Sequence, residues 1–135
     1  MGLFEWDEKF SVGVSSIDEQ HKKLVAYLNE LHDGMMKGKG LDVLAPILDG
    51  LVSYTEEHFR FEEKYFYTTD YSHKDAHIEE HRVLVVKVTN YKNKIGRAEA
   101  TLSSELLQFL KDWLMKHILG TDMKYKEHFL SRGIS

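Results

Sequence analysis

Cysteine is absent from the 135 residues, which excludes a disulfide framework, a thiolate zinc site, an iron–sulfur cluster and the C-x-x-C-H attachment of haem. There is one proline and there are nine glycines, so the chain has few enforced breaks and favours long regular elements over a loop-rich sandwich. No apolar run approaches the roughly 20 residues that cross a bilayer. The first ten residues carry Glu5, Asp7 and Glu8 where a leader peptide would be basic and then apolar. The expectation is a cytoplasmic protein without membrane association. The formal net charge of −4 carries no nucleic-acid footprint. Apolar residues make up 42 % of the chain, enough for the core of one domain. The unusual abundance is histidine, with eight in all.

Four stretches repeat apolar residues with helical spacing, and no alternating run competes. The first spans about Ile17 to Met36, with Ile17, Leu24, Leu28, Leu31 and Met35 on its stripe and Ser16/Glu19 as a capping box. The second begins between Asp42 and Pro46 and ends near Tyr67. The third begins near Ser72, capped with Asp75, and reaches about Ile95. The fourth begins at Ser103 or Ser104 and carries Leu106, Phe109, Leu110 and Trp113 toward Gly120. A short helix over Asp122 to Leu130 follows. Short links at Gly38–Gly40, Thr68–Tyr71 and Gly96–Thr101 make neighbouring helices antiparallel. The expected fold is all-α: an up-down-up-down four-helix bundle with an extended N-terminal arm and a short C-terminal helix. A single domain fills residues 1–135, the arm taking 1–16 and the bundle 17–130, with no room left for an appended effector.

Three spacings carry chemistry: His58-x3-Glu62, His77-x3-His81 and His117-x4-Asp122. Residues four apart on a helix differ by about 40° in direction, so each of the first two pairs can face one centre. His73-x3-His77 has the same spacing, and spacing alone does not choose between them. Bundle geometry does, because residues at one height in an antiparallel pair lie symmetrically about the connecting turn. His58 with His81, and Glu62 with His77, are symmetric about the Thr68–Tyr71 turn. His21 with His58 is symmetric about the first link. His81 with His117, and His77 with Asp122, are symmetric about the third. Five imidazoles and two carboxylates thus share one layer, while His73 falls a turn outside it. Five positions of ideal helix rotate by about 140°. A break at Gly120-Thr121 is therefore expected to turn Asp122 back inward.

Seven groups exceed the needs of one metal ion and suit two octahedral first-row ions with both carboxylates bridging. Two divalent ions, two carboxylates and a bridging hydroxide leave a net charge of about +1, tolerable in a core where seven unpaired polar groups are not. Five histidines divide as three and two, so one ion keeps a free position for a small ligand. Elsewhere, His32, His73 and His128 read as solvated and Lys22-Lys23 and Glu79-Glu80 as solvent faces. Tyr125, one turn beyond Asp122, either touches the site, caps its mouth or packs.

These residues resemble the hemerythrin family, and within it the single-domain bacterial hemerythrins. The resemblance runs nearly end to end, through Trp6, Val12-Gly13-Val14, Ile17-Asp18-Glu19-Gln20-His21, His58 through Glu62-Glu63, His77 through His81, and His117-Ile118-Leu119-Gly120-Thr121-Asp122. It implies two iron ions per chain with a hydroxide or oxo bridge and no haem. One iron would be held by His77, His81 and His117, the other by His21 and His58, with Glu62 and Asp122 between them. It further implies reversible dioxygen binding for storage, delivery or buffering. Imidazole-rich pairs four apart, in place of Glu-x-x-His, favour an oxygen-binding protein over an enzyme, and a monomer is expected. Leu24, Phe59, Trp113 and Ile118 match the positions that line the family's dry dioxygen pocket. The alternatives are a di-iron oxidase or peroxidase, and a module sensing oxygen, nitric oxide or iron through a partner.

Overall fold

The computed structural model describes residues 4–96 and 104–135. Its helices are α1 (Ser15–Met36), α2 (Leu41–Thr68), α3 (Lys74–Gly96), α4 (Ser104–Lys116) and α5 (Lys126–Ser131). A π-helical turn, His117–Thr121, and a 3₁₀ turn, Asp122–Tyr125, run between α4 and α5. The four long helices form the expected antiparallel bundle, and no strand occurs among the described residues. Beyond Gly96, the expected third connection lies outside the described residues.

The N-terminal arm is extended apart from one 3₁₀ turn at Glu8–Phe10. Phe4, Phe10, Val12 and Val14 are buried beneath it, and the Asn29 side chain bonds both the N–H and the C=O of Phe4. The Ser16/Glu19 capping box does not form. Helix α1 begins at Ser15 with Val14 at its N-cap and no side-chain cap, and Glu19 pairs with Lys22 instead. Asp18 does the tethering: its carboxylate accepts from the Val12 N–H and the Ser11 hydroxyl, tying the arm to the first turn.

Helix α2 includes Pro46 in its second turn, close enough to the start that only one backbone hydrogen bond is forfeited. The ends of α1 and α2 share one geometry. Gly38 (φ 68°) and Asp70 (φ 52°) adopt the left-handed conformation just past each helix. The N–H groups of Gly38 and Lys39 bond Met35 and Gly34 carbonyls, and those of Asp70 and Tyr71 bond Tyr67 and Phe66. These are Schellman endings, and the second brings the rings of Tyr71 and Phe66 to 5.3 Å. Because Tyr71 completes that ending, α3 starts at Lys74, two residues after the Ser72 expected from sequence.

Burial separates into two apolar clusters. One contains Leu24, Leu28, Phe59, Leu84, Leu110 and Ile118; the other contains Ile17, Phe66, Tyr71, Tyr125 and Phe129. Along α1, His21 falls between Ile17 and Leu24. Along α2, Glu62 falls between Phe59 and Phe66. The polar layer is therefore sealed above and below by apolar side chains.

Candidate metal centre

All seven residues expected in one layer are buried, at 0–3 % exposure. Five of them, Glu62, His77, His81, His117 and Asp122, present donor atoms within 4.8 Å of one another, and His21, His58 and Glu62 form a second such group. Asp122 spans the two: its Oδ1 lies 2.9 Å from His77 Nε2 and 3.0 Å from His117 Nε2, while its Oδ2 lies 3.1 Å from His21 Nε2. Glu62 Oε1 lies 3.4 Å from His58 Nε2 and 3.3 Å from His81 Nε2. The Nε2 atoms of His77 and His81 each approach that of His117 to 3.1 Å.

The fit to metal is read from atoms that have no protein partner. Glu62 Oε1, both Asp122 oxygens and His21 Nε2 are buried without a hydrogen bond, although nitrogens lie close by. Buried carboxylate oxygens in that state are costly unless a cation takes their lone pairs. Imidazole and carboxylate with no thiolate is a donor set for first-row ions such as iron. Two overlapping groups with shared carboxylates suit a pair of ions better than one.

The last pair corrects the sequence reading. No break occurs at Gly120-Thr121; Thr121 and Asp122 keep right-handed helical angles. Instead, the Asp122 N–H bonds the His117 carbonyl, the five-residue ring of a π turn, which brings residues five apart to one side. Gly120 has a negative φ and open space where a Cβ would stand, so its glycine character is not what turns the chain.

Sequence reasoning missed the groups behind the ligating atoms. His58 Nδ1 donates to Gln20 Oε1 at 2.7 Å, His81 Nδ1 to Glu63 Oε2 at 2.9 Å, and His117 Nδ1 to Glu80 Oε1 at 3.2 Å. Each bond keeps the proton on Nδ1 and leaves Nε2 free to ligate. Glu80 is exposed, as expected of a solvent face, yet its carboxylate turns to the site and accepts from His117 and from Thr121. A signal was present: each orienting residue adjoins one ligand in sequence yet serves a ligand on a neighbouring helix. One step along a helix is about 100°, which moves a side chain from the core to the seam between helices.

Tyr125 neither caps the mouth nor merely packs. It is fully buried and its hydroxyl donates to Glu62 Oε2 at 2.5 Å. His128 is also not solvated, since its Nε2 donates to the Thr69 carbonyl. His73 is exposed, outside the layer, against the edge of Tyr71.

The charges follow from burial and neighbours. Burial pushes the His58 pKa down to about 4, against the pull of Glu62. Burial opposes charge on His117 too, but Asp122 and Glu80 outweigh it and raise the pKa to about 10. Glu62, despite burial and the adjacent Asp122, is held down to about 2 by His58 and His81.

On one side of the layer lies an apolar cavity of about 40 Å³. Leu24, Phe59 and Trp113 line it as expected, with Leu28, Leu84 and Leu110 among the others; Ile118 does not, being wholly buried in the adjoining packing. Thr55, the polar group in the lining, is satisfied by donating to the Leu51 carbonyl. Phe59 stacks on His81 at 3.7 Å, and Trp113 on His117 at 4.3 Å, so two aromatic faces separate cavity from centre.

Comparison with known proteins identifies the family. The family model "Hemerythrin HHE cation binding domain" matches residues 12–129. The chain belongs to the hemerythrin family. It is 32 % identical over 127 residues to "Bacteriohemerythrin" of Stenotrophomonas maltophilia (strain R551-3), covering 94 % of this chain and 82 % of that protein. It is 37 % identical over 123 residues to "Hemerythrin-like protein" of Naegleria gruberi, covering 91 % of each. The crystal structure of a wild-type hemerythrin superposes with a TM-score of 0.89 at 31 % identity, covering 93 % of this chain and 96 % of that one. Among the described residues no helix is long and apolar enough to cross a membrane.

Proposed function

We propose that this hemerythrin-family chain holds two iron ions and binds dioxygen reversibly. His77, His81 and His117 would hold one iron and His21 and His58 the other, with Glu62 and Asp122 between them. When bound, an iron pair would supply reversible two-electron chemistry toward dioxygen. The protein's part is to exclude water and outside protons while that exchange is reversible. The observation that carries this reading is the dry cavity against the histidine layer: Leu24, Phe59 and Trp113 offer a diatomic molecule space and offer water no hydrogen bond. An orienting Nδ1 bond on three of the five histidines keeps the donor set fixed through each cycle.

The test is to count iron per chain, reduce the protein without air, add oxygen and then remove it. Two irons and a colour that appears and vanishes on repeated cycles is the expected result. Decay to a stable ferric end state in a single pass would favour the oxidase reading. Absence of iron would end both.

A further inference from the structure

On the side of the centre away from the dry cavity, the α2–α3 connection, α3, the π turn and the 3₁₀ turn border a second pocket of about 60 Å³ that opens to solvent. Tyr71, His73, Ala76, His77, Glu80 and Thr121 line it, with Lys124 at its exposed rim. Its character is the opposite of the first. The Tyr71 hydroxyl and His77 Nδ1 are both buried, and neither has a hydrogen-bond partner. Gln20, Glu63 and Glu80 serve three of the other metal-facing rings, but no side chain serves His77.

We infer that this pocket is a hydration site built into the metal centre, in which an ordered water accepts from His77 Nδ1–H and Tyr71 O–H and donates to Glu80. The inference rests on His77 ligating through Nε2, which faces Asp122 and His117 and leaves the proton on Nδ1. A water needs two to four polar partners and roughly 10–15 Å³, and the pocket offers both. Two donors match the two lone pairs of a water, and the Glu80 carboxylate matches its hydrogens. Glu80 is already fixed by His117 and Thr121, so its oxygens hold position. The water thus does for His77 what a side chain does for its neighbours.

The test uses crystals of the full chain, metal-free and iron-loaded, at a resolution that orders solvent, together with an Ala76→Leu variant. Ala76 is exposed on α3, so the longer side chain can fill the pocket without disturbing the core. The expected result is a water on His77 Nδ1 in both crystal forms. The variant should fold with unchanged helicity and release iron to excess chelator about 10–100 times faster, the range for losing an orienting partner. Tyr71→Phe should keep the water and accelerate release less. A protein group on Nδ1, such as the His73 carbonyl, would overturn the inference, as would wild-type release from a variant whose pocket is seen to be filled. If the wild-type chain takes up no iron, the proposed function fails, whereas the water on Nδ1 is still read from the metal-free crystal.

Discussion

At the scale of single residues, the centre is a problem of lone pairs and protons. A histidine ligates only when its other nitrogen holds the proton, and Gln20, Glu63 and Glu80 enforce that for His58, His81 and His117. Glu63→Ala should therefore weaken metal retention by about 10–100-fold with little change in helicity, measured by chelator competition and circular dichroism. Glu79→Ala, one residue from Glu80 but paired outward with Arg82, should leave retention unchanged. A different residue-level prediction concerns the dry cavity. Leu24→Ser places a hydroxyl where a water can then be held, and Trp113→Ala opens the face of His117. Both should shorten the lifetime of the oxygenated protein several-fold, followed as loss of its visible absorption. An unchanged lifetime would mean that the cavity does not guard the centre.

At the scale of elements, the instructive one is the π turn. H-x4-D was legible as a pair that needs reorientation, and the direction of Asp122 was inferred correctly. The means was not. Gly120 suggested a break because glycine commonly ends helices, whereas i→i+5 bonding leaves no mark of its own in composition. The distinction is testable. If Gly120 were a hinge, a side chain there would disturb Asp122. Because φ is negative and the space is open, Gly120→Ala should preserve iron binding and be neutral or stabilising by up to ~1 kcal/mol, read from thermal unfolding. Helix positions were legible because apolar periodicity reports burial directly. Their starts were less so. Ser16 and Ser72 look like N-caps, yet Asp18 held the arm and Tyr71 was already committed to the end of α2. Local signals lost to tertiary ones at both points.

At the scale of the whole molecule, two apolar clusters enclose the seven buried polar groups of the layer. The symmetry of an antiparallel bundle made that layer readable from sequence. The orienting residues escaped, and the role of Tyr125 stayed open, because contacts across helix seams depend on side-chain direction rather than height. The enclosure predicts how the metal-free protein responds to pH. His58 is buried neutral, with its pKa lowered from 6.5 to about 4. Between those values the unfolded chain binds the extra proton, so stability falls as pH drops below 6.5. His117 is the reverse, raised from 6.5 to about 10, so the folded chain holds the extra proton and stability falls as pH rises above 6.5. Glu62, lowered to about 2, adds a further loss below pH 4.5. Metal-free protein should therefore be most stable near pH 6.5 and decline on both sides, measured by urea midpoints across pH. On the proposed ligand set, iron would occupy His117 Nε2 and displace the proton behind the decline between pH 6.5 and 10. The loaded protein should lose that limb and keep a steeper acid one, where protons compete with metal for the same nitrogens. A decline between pH 6.5 and 10 that persists after loading would mean that His117 still carries its proton and does not ligate.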